Sequence, residues 1–172
     1  MPRPFLLWPD PRLKAVAAPV AGVDDAVRAI WAEMLEAMYA MPGVGLAAPQ
    51  LGIGLRLAVV DAGTDPGAGR APVRLANPEI LAHSEETLRH REGSPNLPGL
   101  AEEVARPARV RLRYLDATGA VAERWFDGLW AISAQHQVDH LDGKLFIDRL
   151  SPMRRRRALE QWRKSRRQRA RR

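Results

Sequence analysis

The sequence predicts an α+β fold, and three observations carry that reading. Helical periodicity and strict two-residue alternation occupy separate blocks of the chain rather than taking turns along it. A length of 172 residues suits one domain with a substantial core. No internal repeat divides the chain.

Residues 1–23 are rich in proline and read as irregular, with Trp8-Pro9-Asp10-Pro11 as a turn. A helix is predicted from Asp24 to Ala40. Asp24 is placed to cap it, and Val27, Ile30, Met34, Met38 and Met41 mark one apolar face. Pro42-Gly43 ends it. Leu55–Asp61 reads as a strand, residues 61–69 as a loop, and Val73–Ala76 as a short strand before Asn77-Pro78. Arg109–Tyr114 alternates as a half-buried strand does. The turn Asp116–Gly119 then leads into Ala120–Phe126, which makes a hairpin. A helix follows from Leu129 to Leu141, ended by Gly143. Leu129, Ile132, Ser133 and Ala134 are small or apolar, so this helix is expected to lie buried. Ser151-Pro152 opens a last helix. The reading divides the chain into a body, residues 1–153, and a basic helix or tail, residues 154–172, within or extending the same domain.

Charge is distributed unevenly. Residues 154–172 hold 11 of the 27 basic residues and one acid, Glu160. The body is left with 16 basic against 19 acidic residues, so the tail alone makes the protein basic. Such a block suits contact with nucleic-acid phosphates or a solvated arm. Trp162 is available either to stack on a base or to pack the tail onto the body. There is no cysteine, which excludes a disulfide, a thiolate ligand and a thiol nucleophile. The apolar run Phe5–Trp8 is too short for a signal peptide or a membrane span, so a cytoplasmic protein is expected, with no membrane partner.

The segment Gln135-His136-Gln137-Val138-Asp139-His140 carries the chemistry. Histidines at i and i+4 stand on one helical face, close enough to hold one metal ion. Zinc hydrolases use this spacing as H-E-x-x-H, where the Glu takes a proton from bound water. Here Gln137 holds that position, and an amide has no basic oxygen near neutral pH.

Three separated segments line up: Gly43-Val44-Gly45-Leu46-Ala47-Ala48-Pro49-Gln50, Glu92-Gly93-Ser94-Pro95-Asn96, and Gln135 to Leu141. In order and spacing they resemble the motifs G-x-G-L-A-A-x-Q, E-G-C-L-S and Q-H-E-x-D-H-L of the bacterial peptide deformylases. The resemblance covers nearly the whole chain. It implies small antiparallel sheets packed around the helix that carries the two histidines. It also implies hydrolytic removal of the formyl group from the initiator methionine of nascent proteins. A divalent metal, iron or zinc, is implied as cofactor, with the nascent N-terminal peptide as partner. Ribosomal RNA is a further partner, met through the basic C-terminal helix.

Carried over by position, His136 and His140 are metal ligands and Gln50 an oxyanion donor. Ser94 stands at the cysteine ligand, Pro95 at the residue whose backbone N–H meets the oxyanion, and Gln137 at the general base. A hydroxyl is a poor ligand beside a thiolate, and proline has no N–H. Gly43, Val44, Gly45, Leu97, Leu129, Ile132 and Ser133 are expected to line a groove and a methionine-sized pocket. His90 and Glu92 are candidates to complete a different metal site; the competing reading makes His90 partly exposed and Glu92 a structural anion paired with Arg106. The leading expectation is a deformylase-like protein that has lost ordinary catalysis, so that no metal need be bound. An active hydrolase with a rebuilt metal site and an RNA-associated platform stand as alternatives.

Overall fold

The computed structural model describes residues 3–63, 65 and 67–171. Its first helix, α1 (Asp25–Ala40), begins where the sequence places it. The Asp24 carboxylate accepts from the Val27 N–H at 2.8 Å, a cap worth about 1 kcal/mol. Val27, Trp31, Met34, Leu35 and Met38 are buried at helical spacing. They pack against β1 (Gly45–Ala47) and β2 (Leu57–Val60).

A five-stranded antiparallel sheet runs in the order β1, β2, β3 (Val73–His83), β6 (Arg109–Leu115), β7 (Val121–Asp127). Strand β3 runs well past the predicted Val73–Ala76. Pro78 does not stop it, because the ladder with β6 slips register between Ala76 and Glu79, where a missing N–H costs nothing. Asn77 takes a positive φ of 50° there. Its side chain clamps Val20, accepting from the backbone N–H at 2.9 Å and donating to the carbonyl at 2.8 Å. The β6–β7 hairpin forms as expected. Asp116 accepts from the Thr118 N–H, and Gly119 supplies the positive φ of 87° that the turn requires.

A separate two-stranded ladder pairs β4 (Thr87–Gly93) with β5 (Ala101–Pro107). Between it and the large sheet runs α2 (Gly128–Leu141), buried without interruption from Ala131 to Leu141. Gly143 stops the chain beyond α2 at φ 71°, and a Cβ there would run into the Lys14 carbonyl. The last helix, α3 (Pro152–Ala170), is capped by Ser151. It is no solvated arm along its whole length, for Ala158, Leu159 and Trp162 are buried against Leu13, Leu97 and Phe146. Trp162 packs the helix onto the body: its indole stands edge-on to Trp8 at 5.8 Å and donates to the Pro98 carbonyl at 3.0 Å. Among the described residues no helix is long and apolar enough to cross a membrane.

Candidate active site

Helix α2 carries six polar side chains into the interior, and each needs a partner. Gln135 donates to the Pro107 carbonyl at 2.9 Å. Asp139 receives Arg106 at 2.9 Å and a fork from Arg149 at 2.5 and 3.0 Å. Arg106, 3% exposed, also forks onto Glu92 at 2.6 and 2.9 Å. Burial would raise the Glu92 pKa. The hydrogen bonds from His136 and Arg106 outweigh it and hold the carboxyl at about 2.

An ionised Glu92 is acceptor-only, so the 2.8 Å contact to His136 Nδ1 places a proton on that nitrogen. His136 Nε2 faces His140 Nε2 at 3.2 Å, one ring nitrogen donating and the other accepting. His140 is the more deeply buried of the two, at 1% exposed. Burial, then the neighbouring His136 and Arg106, push its pKa well below the ordinary histidine value. His140 Nδ1 is buried with no hydrogen-bond partner among the described residues, and so is Gln137 Oε1.

The second polar group is built by the turn after β4. The Ser94 hydroxyl donates to Asn96 Oδ1 at 2.9 Å and accepts from Gln50 Nε2 and the Asn96 N–H, both at 3.3 Å. That uses the one hydrogen and both lone pairs of a hydroxyl. Gln50 Nε2 gives its other hydrogen to Asn96 Oδ1 at 2.8 Å, and Gln50 Oε1 accepts from the Ala47 N–H at 2.9 Å. Asn96 Nδ2 bonds the Leu6 carbonyl at 2.5 Å and the Gln50 carbonyl at 3.3 Å. Ser94, Asn96 and Gln50 thus form a closed network with no donor left over.

These groups border a cleft of 490 Å³. Gln50, Ser94, Pro95, His136 and Gln137 line one part of it; Gly43, Val44, Gly45, Leu129, Ile132 and Ser133 line another. Ser133 donates to the Val44 carbonyl at 3.0 Å, which fixes the rim strand against α2. A Cβ on Gly45 would lie 2.5 Å from Gln137 Nε2 and closer still to Ser133 Oγ, so any larger residue there must displace those side chains.

Two expected roles are overturned. Leu97 does not line the cleft: it is fully buried in the core with Leu13, Leu100 and Leu145, because the turn after Ser94 directs it inward. His90 and Glu92 do not complete a metal site. Glu92 is bound to the outer nitrogen of His136, and His90 is exposed at the cleft mouth. Among the described residues no three His, Cys, Asp or Glu side chains are grouped to hold a metal. The competing reading holds: Glu92 is a structural anion, paired with Arg106.

The sequence match settles the family. A sequence model described as polypeptide deformylase matches residues 2–156. The chain belongs to the peptide deformylase family. It is 47% identical over 165 residues to a peptide deformylase of Methylocella silvestris, covering 95% of this chain and 84% of that protein. It is 43% identical over 162 residues to a protein of Brucella melitensis named peptide deformylase-like, covering 94% and 96%. The solved peptide deformylase of Legionella pneumophila superposes with a TM-score of 0.88 at 37% identity, covering 100% of this chain and 99% of that one. The α+β architecture around the histidine helix is therefore that of the deformylases.

The metal implied by the deformylase resemblance meets a donor set that does not fit it. Two imidazoles face each other, the third position is a hydroxyl whose lone pairs are already taken, and among the described residues no anionic donor joins them. Sequence reasoning missed Asn96 as the residue that ties up Gln50. The two are 46 positions apart, and no local pattern links them.

Proposed function

We propose that this deformylase-family chain has lost ordinary deformylase catalysis and retains the cleft as a binding site for the N-terminal peptide of a nascent protein. One observation carries the reading. The three groups that would supply a ligand, a base and a second oxyanion donor are a saturated hydroxyl, an amide and a proline nitrogen. The remaining donor, Gln50, is fully occupied by Asn96 and Ser94. General-base catalysis is typically worth about 10²–10⁴ in rate and one oxyanion donor about 10²–10³. The groups act as a unit, so the loss of all of them leaves little acceleration. The walls of the cleft support binding: Gly43, Val44 and Gly45 line its rim, and Leu129 and Ile132 offer apolar surface.

The experiment is calorimetric titration of a formyl-methionyl tripeptide into the protein, with the peptide recovered and weighed by mass spectrometry. Saturable binding with intact peptide is the expected result. Cleaved peptide, or no heat of binding, contradicts the proposal.

One observation favours the reading of an active hydrolase with a rebuilt metal site. The two Nε2 atoms are 3.2 Å apart, near the roughly 3.4 Å that two imidazoles on one tetrahedral ion show. Metal analysis after dialysis against chelator tests it, and a bound equivalent of iron or zinc would favour it. Ribosomal RNA is proposed as a second partner. Arg156, Arg157, Arg163 and Lys164 are exposed on α3 and suit phosphate contacts. Replacing these four with Glu should abolish low-salt pelleting with ribosomes while Trp162 still anchors the helix. Unchanged pelleting would reject that partner.

A further inference from the structure

A second cavity of 300 Å³ lies between α3 and the turn that joins β4 to β5. It shares Arg91, Pro98 and Gly99 with the cleft, so the two are contiguous. Its walls bring together three guanidinium groups: Arg91 from β4, and Arg166 and Arg169 from α3. Residues 162, 166 and 169 repeat at helical spacing, which puts both α3 arginines on the stripe that faces the turn.

The positions of the two α3 arginines are set by apolar contacts rather than by carboxylates. Arg166 lies over the Trp162 ring at 5.0 Å, and that ring is itself pinned to Pro98. Arg169 lies over Gly99, where a Cβ would come within 3.2 Å of the guanidinium and where φ is 81°. The nearby acids are already engaged, Glu102 with Arg154 and Glu103 with Arg89. Among the described residues none of the three arginines has a carboxylate within ion-pair distance. The cavity therefore holds three cations against the single charge of Glu102, and that charge is already shared.

We infer that this cavity is a subsite for a carboxylate carried by the same peptide whose N-terminus occupies the cleft. The inference rests on the proposed peptide-binding reading of the cleft. A planar guanidinium forks onto a carboxylate through two parallel hydrogen bonds, and pre-set arginines lose little freedom in doing so. The carboxylate comes from an acidic side chain a few residues downstream or from the end of a short peptide. The ligand class is thus an N-terminal segment with a downstream acid. The cavity shares its rim with the cleft, so one extended chain serves both.

The test uses the full chain and amidated formyl-methionyl hexapeptides with alanine at every other position, compared with peptides in which a single Glu is moved from position 3 to position 6. A free-acid tripeptide against its amide reports the terminal source. One Glu position should bind about five- to tenfold tighter than the neutral peptide at low salt, with the gain shrinking as salt rises. Arg166→Gln/Arg169→Gln should remove the gain and leave neutral-peptide affinity unchanged; Arg91→Gln, on the wall shared with the cleft, should remove the gain relative to the neutral peptide measured in the same variant. Equal affinity for all peptides overturns the subsite while leaving the cleft reading standing. Failure of even the neutral peptide to bind overturns both. A short RNA that displaces the acidic peptide, and that loses affinity in the same variants, overturns the carboxylate assignment in favour of phosphate.

Discussion

Restoring the missing groups should restore chemistry only when all of them return together. Gln137→Glu alone supplies the base, but Ser94 still spends both lone pairs and its hydrogen inside the network, and Gln50 remains tied to Asn96. Ser94→Cys adds a thiolate ligand. Pro95→Leu returns an N–H, and Asn96→Ser frees Gln50 Nε2 from its 2.8 Å bond. Base and oxyanion donor are typically worth about 10²–10⁴ and 10²–10³ respectively. Because they act as one unit, the fourfold variant should gain at least about 10³ over the natural chain, while each single change gains less than about tenfold. The fourfold change also removes the Asn96 amide from the Leu6 and Gln50 carbonyls, at a cost of about 1–3 kcal/mol in stability. A melting curve must therefore accompany the assay, which is formate release from a formyl-methionyl peptide in the presence of ferrous iron. A folded, metal-loaded fourfold variant with no activity would show that these four residues are not what blocks the chemistry. A large gain from Gln137→Glu alone would show that Ser94 and Asn96 do not block the site.

Further outcomes follow from the interior charges. Arg106→Met leaves Glu92 and Asp139 without their shared buried partner and should cost about 3–5 kcal/mol in urea unfolding. Glu92 has a folded pKa of about 2 against an ordinary 4.5. Its contribution of about 3 kcal/mol is thus complete above about pH 4.5 and is lost as pH falls toward 2; a stability that is flat across that window would contradict the pairing. Gly45→Ala drives a methyl into Ser133 and Gln137 and should destabilise by about 1–3 kcal/mol while weakening peptide binding. Gly143→Ala meets both a positive φ and the Lys14 carbonyl, so a Tm at or above that of the natural chain would reject the clash.

Much of this architecture was legible before any coordinates. Asp24, the helical stripe of α1 and the alternation of Arg109–Tyr114 are local signals, and they form the elements they predict. Strand β3 was underestimated because Pro78 reads as a stop, whereas it sits in a register slip that tolerates it. The β4–β5 ladder left almost no apolar alternation to read, since Thr87–Gly93 is mostly exposed and polar. At the site, the order of the three motifs brought His136, Gln50, Ser94 and Gln137 to one cleft, with His140 buried behind His136. Leu97 went to the core instead, and the bond from Asn96 to Gln50 was invisible, because both depend on how a turn folds onto a distant segment. The Glu92–Arg106 pair was foreseen as one of two alternatives; only burial on both sides of Arg106 decides between them.

The most direct measurement is steady-state formate release by the natural chain, supplied in turn with iron, nickel, cobalt and zinc. The cleft described here should yield no formate above the metal-and-buffer background with any of the four. Turnover approaching that of a deformylase carrying Cys and Glu at positions 94 and 137 would mean that the saturated hydroxyl and the neutral amide are no barrier to the reaction.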